Sequence, residues 1–281
     1  MESPDKNKIG LVPIERETWL LQPVAVTMMR HDYSRLQVKV LECLVEYMQP
    51  KLRDIIINRK SVYEAFSSED FDNDGRVSIP IYFKDLNVEP DKDLFYYSEK
   101  TDLMDLLKQI MCIPVEIPHK TQYGIQYLKI TNLADVFISD NDVSNGYAIF
   151  KIDMHVMEPL FSIDLGYHRL GKEVVLACHE GYDGIGVSQH IYMMLECWIR
   201  KGIVTIPTRE FLMSMRLENI FSTYNQFAKS VLEPVKEELY NLAVNGYSDC
   251  YFSYDRKYEN EEDYLVFKIF RCDQIYAYEN A

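Results

Sequence analysis

No apolar run in the 281-residue sequence approaches the roughly 20 uninterrupted residues of a membrane-spanning helix, which argues against a membrane protein. The opening residues, MESPDKNKIG, lack the apolar core of a signal peptide. Glycine and proline, eleven of each, are too few to suggest disorder. The six cysteines, at positions 43, 112, 178, 197, 250 and 272, include no Cys-x-x-Cys pair. Several fall on apolar faces, where reduced, buried thiols are expected, and this points to a reducing cytoplasm.

Catalytic signatures are also missing. There is no His-hydrophobe-His pair and no His-Glu-x-x-His; His179-Glu180 lacks its second histidine, and His155 and His190 stand alone among apolar residues. Twenty-one tyrosines leave none marked as a nucleophile. The expectation is a protein that is not an enzyme, without a cofactor or metal.

Two motifs only approach a ligand site. Asp70-x-Asp72-x-Asp74-Gly75 matches the start of a calcium-binding loop, but the position of its bidentate glutamate is Ile81, following Pro80. An acidic turn before a strand is the expected outcome. Gly181-x-x-x-x-Gly186-Val187-Ser188 has phosphate-loop spacing with valine in place of the essential lysine. There Ser188 is expected to cap the next helix.

Basic charge is scarce. The chain carries a formal −14, with 17 basic against 24 acidic residues in 1–145 and 13 against 20 in 146–281. Nucleic-acid affinity rests on phosphate contacts, so this balance weighs against DNA binding unless a local basic face exists. Charge fields decay over about 10 Å at ordinary ionic strength, so a local face is compatible with the total. Arg200, Lys201, Arg209 and Arg216 meet only Glu210 between 197 and 217.

What the chain does have is ordered helical and strand patterning, densest over 188–270. Ser188 to Lys201 places Ile191, Met194, Leu195, Trp198 and Ile199 on one helical face. Thr208 is placed to cap a short helix through Met215. A longer helix follows Ser222, with Tyr224, Phe227, Val231, Val235, Leu239 and Leu242 on one stripe. Asn245-Gly246 ends it, and strands Cys250–Tyr254 and Tyr264–Phe270 flank the polar loop 255–263. Helix, short helix, long helix and hairpin is the order of a winged helix-turn-helix.

The first half repeats that order. LLQPVAVTMM reads as an entry strand. Asp32 or Ser34 then caps a helix through Met48, with Leu36, Val40, Leu44 and Tyr47 inward. Pro50 kinks or ends it, and KLRDIIINRKSVYEAF resumes helix. Arg76–Phe83 is strand-like, Asp102–Met111 helical and Val115–Ile117 a strand. Runs Tyr123–Ile138 and Tyr147–Met154 surround the turn SDNDVSNG. A short helix, VMEPLFSI, joins the halves. The expected class is α+β, two tandem winged helix-turn-helix domains: an arm over 1–17, a first domain over 18–157 and a second over 158–281.

The segment TIPTREFLMSMRLENIFSTYNQFAKSVLEPVKEELYNL, after SQHIYMMLECW and before the hairpin, resembles the second winged-helix domain of plasmid replication initiators. FAKSVLEPVKEEL carries the likeness best, through Phe227, Val231-Leu232, Pro234 and Glu238-Leu239. DYSRLQVKVLECLVEYM, IPIYFKDL, DLMDLLKQIM and IPVEI are similar to a first such domain at the level of pattern. The likeness spans about 20–270. It implies a cytoplasmic protein that binds repeated double-stranded DNA sites at an origin, helps open it and recruits host replication proteins, without covalent chemistry. The first domain would add DNA contacts or form a homodimer, and repression of its own gene would use the same DNA site.

On that reading the polar face at the start of the long helix (Ser222, Thr223, Asn225, Gln226, Lys229 and Ser230) meets DNA. Asn and Gln can pair bidentately with adenine; Ser, Thr and Lys reach phosphate or base edges. A solvated helix face has the same composition. Arg209 and Arg216 are candidate backbone clamps, as are Arg256 and Lys257 in the wing, although Glu259, Glu261, Glu262 and Asp263 adjoin the latter pair. The alternative is an acidic winged-helix module that binds protein instead of DNA.

Overall fold

The computed structural model describes residues 19–86, 113–138, 146–179, 182 and 185–272. The arm, the helix expected over Asp102–Met111 and most of the SDNDVSNG turn lie outside them. The fold is mixed, 43% helix and 32% strand, built from small sheets and packed helices. No helix among the described residues is long and apolar enough to cross a membrane.

The chain enters through strand β1 (Trp19–Pro23) and a single turn, α1 (Val24–Thr27). Helix α2 (Arg35–Tyr47) follows, and Ser34, not Asp32, is its cap. The Ser34 hydroxyl accepts from the Gln37 N–H, while the Gln37 side chain accepts from the Ser34 N–H. Leu36, Val40 and Leu44 are buried as expected. Tyr47 is not: it is 46% exposed, and Met48 takes the inward position where the helix ends. The helix does end just before Pro50, as expected, and Pro50 sits in the first turn of a new helix, α3 (Gln49–Asn58), where its missing N–H costs nothing. That helix stops at Arg59, whose φ of 53° is left-handed, so the helix expected through Phe66 is cut short.

Strand β2 (Val77–Tyr82) is followed, after the undescribed residues, by a hairpin of β3 (Val115–Thr121) and β4 (Gly124–Ile130). The single run expected over 123–138 is therefore broken at 131–134, before β5 (Asp135–Ile138). Strand β6 (Tyr147–Ile152) returns to pair with both neighbours, giving the order β2-β6-β5. Helix α4 (Met154–Phe161) holds Pro159 and leads to β7 (Tyr167–Gly171) and α5 (Lys172–Ala177).

Strand β7 pairs antiparallel with β1, Trp19 opposite Gly171 and Pro23 opposite Tyr167. The two halves also share one continuous core, in which Leu20 and Met29 join Leu160, Ile191, Leu195 and Phe267.

Helix α6 (Val187–Trp198) buries Ile191, Met194 and Leu195. Then come β8 (Ile203–Pro207), a strand the sequence pattern did not announce, and α7 (Thr208–Ser214). Pro207, not Thr208, occupies the cap position of α7; the Thr208 hydroxyl is buried without a hydrogen bond among the described residues. The long helix comes in three parts: α8 (Tyr224–Phe227), a π-turn (Ala228–Leu232) and α9 (Glu233–Val244). Pro234, which lacks an N–H, cannot continue the i→i−4 ladder there, and the wider turn lies just before it. Phe227, Val231, Val235 and Leu239 form its buried stripe.

The hairpin expected as two short strands around a nine-residue loop is longer and tighter. Strands β9 (Cys250–Glu259) and β10 (Glu262–Arg271) pair throughout and are joined by Asn260-Glu261, with φ of 51° and 64°. Two positive φ angles in a two-residue loop match the right-handed strand twist. Strand β10 also pairs with β8, so the sheet order is β8-β10-β9. Both three-stranded sheets thus run first, third, second in chain order.

Candidate nucleic-acid interface

The N-terminus of α8 opens on a cleft of about 480 Å³ between α7, the helix start and the β9–β10 hairpin. Thr208, Phe221, Ser222, Thr223, Asn225, Arg256 and Asp263 are among its walls. Phe221 is half-buried, packed on Tyr182 and Phe227 at ring separations of 4.8 and 5.5 Å, and the polar residues after it face solvent.

Three of those polar residues serve the helix itself. The Thr223 hydroxyl accepts from the Gln226 N–H at 3.2 Å, the usual N-cap bond. The Gln226 side-chain oxygen accepts from the Ser222 N–H at 3.3 Å and from the Ser222 hydroxyl at 3.1 Å. This folds Gln226 back over the helix end and engages its oxygen. Asn225 is exposed at the cleft wall with no such commitment among the described residues. Ser230 is half-buried on the π-turn.

The cations separate. Arg256 donates from Nε and Nη2 to Asp263 at 2.8 and 2.6 Å, with its guanidinium 4.5 Å from the centre of the Tyr224 ring. The salt bridge holds the Asp263 carboxyl below its ordinary range and the Arg256 guanidinium above its own. Lys257 pairs with Glu259 at 2.5 Å, and Lys268 with Asp255 at 2.7 Å. Arg216, at a left-handed φ of 53°, turns away from the helix face and donates to the Pro114 carbonyl at 2.7 Å. Arg209 and Lys229 are exposed and in no ion pair among the described residues. Lys229 lies not at the small cleft but on a groove of about 1530 Å³ behind the helix, beside Glu233, Glu237 and Glu238.

The structure therefore gathers Ser222, Thr223, Asn225 and Arg256 at one cleft and leaves Arg209, Arg216, Lys229 and Lys257 outside it. Tyr224 is half-buried, so the same ring that the helical stripe marks as core also supports Arg256. Asp263 was visible only as part of an acidic run; its pairing with Arg256 depends on the hairpin register.

The calcium-like loop is knitted into the fold. Asp70 pairs with Lys51 at 2.6 Å and Asp72 with Lys151 at 2.7 Å, while Arg76 bridges Asp74 and Asp135. Asp72 also accepts the N–H groups of Asp74 and Arg76, and its carboxyl falls to about 2, chiefly through the Lys151 bond. In the phosphate-loop-like stretch, the Gly186 N–H donates to the Tyr33 carbonyl at 2.9 Å. A Cβ on Gly186 would collide with the Gln189 side-chain oxygen and stand 3.2 Å from the Val38 side chain, so its smallness leaves room for Gln189 and for packing against α2. Ser188 does not cap α6; Gly186 holds that position, and the Ser188 hydroxyl donates to Glu238.

No protein-family model matches the chain, and no curated protein matches it either.

Proposed function

We propose that the chain is a duplex-DNA-binding protein of tandem winged helices, acting as an initiator at repeated origin sites. The observation that carries the reading is the arrangement in the second half. A sheet of order β8-β10-β9 ends in a tight hairpin, and the solvent-facing N-terminus of α8 stands beside that hairpin. This is the geometry in which one helix enters a major groove and a wing reaches along the backbone. The repeated first-third-second order in β2-β6-β5 supports a second module of the same kind.

In this reading Asn225 contacts a base edge, Arg209 contacts a phosphate, and the helix start adds N–H groups oriented toward an anion. The work is done by binding energy and DNA deformation.

A second reading, a protein-binding module, is favoured by one observation. Three of the hairpin's cations, Arg256, Lys257 and Lys268, are paired with carboxylates.

The test is binding of the full chain to the noncoding DNA beside its own gene, at several salt concentrations, with scrambled DNA as control. Specific binding that weakens with salt is expected. Asn225→Ala should cost about 1–3 kcal/mol on the preferred sequence alone. Arg209→Ala should weaken all sequences and reduce the salt slope by about 1, whereas Lys229→Ala, in the groove behind the helix, should leave both unchanged. Absence of specific binding at low salt would remove the DNA reading and leave the protein-binding one.

A further inference from the structure

Behind the DNA-facing side, the end of α6 meets the start of β9. Glu196, 4% exposed, faces Asp249 and Cys250 there, 53 and 54 positions later in the chain. The nearest ligand atoms of the three residues all lie within 4.8 Å of one another. Cys250 Sγ stands 3.4 Å from Glu196 Oε1. A tetrahedral zinc ion separates a thiolate and a carboxylate donor by about 3.6 Å, the edge set by its bond lengths.

Among the described residues, no counter-charge acts on Glu196. The groups acting on Glu196 are Asp249, Cys250 and Tyr192, none of them cationic. Asp249 Oδ1 is buried and has no hydrogen-bond partner among the described residues. Buried carboxylates are ordinarily paired or coordinate a metal.

We propose that Glu196, Asp249 and Cys250 form a site for one divalent transition-metal ion, with zinc the best match to a donor set of one sulfur and two oxygens. Water completes the fourth position, since the nearby Cys272 thiol donates to the Ser248 carbonyl at 2.7 Å. On binding, Cys250 releases its thiol proton to solvent and ligates as the thiolate, with no change of oxidation state. The ion fastens α6 to the root of the β9–β10 hairpin.

The experiment uses the full chain, stripped with chelator and then equilibrated with zinc or cobalt. Expected are one equivalent of zinc by elemental analysis and a near-ultraviolet thiolate-to-cobalt absorption band. Cys250→Ser should abolish the band, and Glu196→Gln should weaken binding by about tenfold or more while keeping it. Failure of the wild-type chain to take up stoichiometric zinc, or a cobalt complex without the thiolate band, overturns the site. So does a band that survives in folded Cys250→Ser. Should that variant not fold, the wild-type band and zinc stoichiometry decide.

Discussion

Arg256 and Asp263 are joined by two hydrogen bonds across the β9–β10 hairpin, and the guanidinium rests over Tyr224. The pair sits at the mouth of the cleft beside the start of α8. The positive charge on β9 is thereby matched by a negative one on the neighbouring strand.

Replacing Asp263 with Asn should free that charge while keeping the shape of the side chain. If the cleft meets DNA, affinity rises severalfold at low salt and the salt dependence steepens by about one phosphate contact. Fluorescence anisotropy across salt concentrations measures both. Unchanged binding would place Arg256 outside the interface.

Arg216 gives the opposite expectation. Its bond to the Pro114 carbonyl ties the segment after α7 to the start of β3. A hydrogen bond from a charged donor contributes about 1.5–3 kcal/mol. Arg216→Ala should therefore lower the unfolding midpoint in urea by a comparable free energy. Intrinsic affinity for DNA, measured well below that midpoint, should be nearly unchanged.

Acid should destabilise the fold over a defined window. Burial pulls His168 and His190 down to about 4, and burial, His190 and Arg216 push His31 well below 6.5. Between pH 6.5 and 4 the unfolded chain binds these protons and the folded one does not, so stability is full above 6.5 and falls with falling pH. Urea midpoints across that range test the slope. His190→Gln, which takes up no proton, should make it shallower.

The cap of α2 offers a local test. Removing the Ser34 hydroxyl by Ser34→Ala should cost about 1 kcal/mol, and Gln37→Ala should cost part of the same sum because the two bonds are reciprocal. A double-mutant cycle read by thermal unfolding checks the shared term. Additive losses would mean the two bonds act independently.

The alkaline side has its own signature. Burial raises the Glu42 carboxyl to about 8, so the folded state keeps a proton that the unfolded chain loses above 4.5. Stability from this group is present below 4.5 and is lost as pH rises toward 8. Glu42→Gln should outperform the wild type near pH 8 by on the order of 1 kcal/mol or more, with the gap closing near pH 4.5. A constant gap across pH would contradict this.

The helical part of this fold was legible in the sequence because an amphipathic stripe is local. Phe227, Val231, Val235 and Leu239 declare their burial by spacing alone. Strands β7 and β8 were not legible. Each is five residues long, and the partner that makes β7 a strand lies about 150 positions earlier. The polar face after Phe221 could be located, but not the use of each side chain. Gln226 and Thr223 look the same in sequence whether they read a base or close a helix end. The hairpin cations were judged as charges in a loop, whereas a two-residue turn puts Asp263 within reach of Arg256.

Strand β1 leaves the ribosome before the rest of the described chain, yet its pairing partner, β7, follows only after most of the first half has been made. Until residues 167–171 emerge, β1 lacks its strand partner, with only the Gln49 side chain bonded to its backbone at Leu21 among the described residues. Completing the first half therefore waits on the second, and closing so long a loop is a slow, late event. Cutting the chain between the halves would divide a sheet, so the two pieces should recover native structure only when mixed.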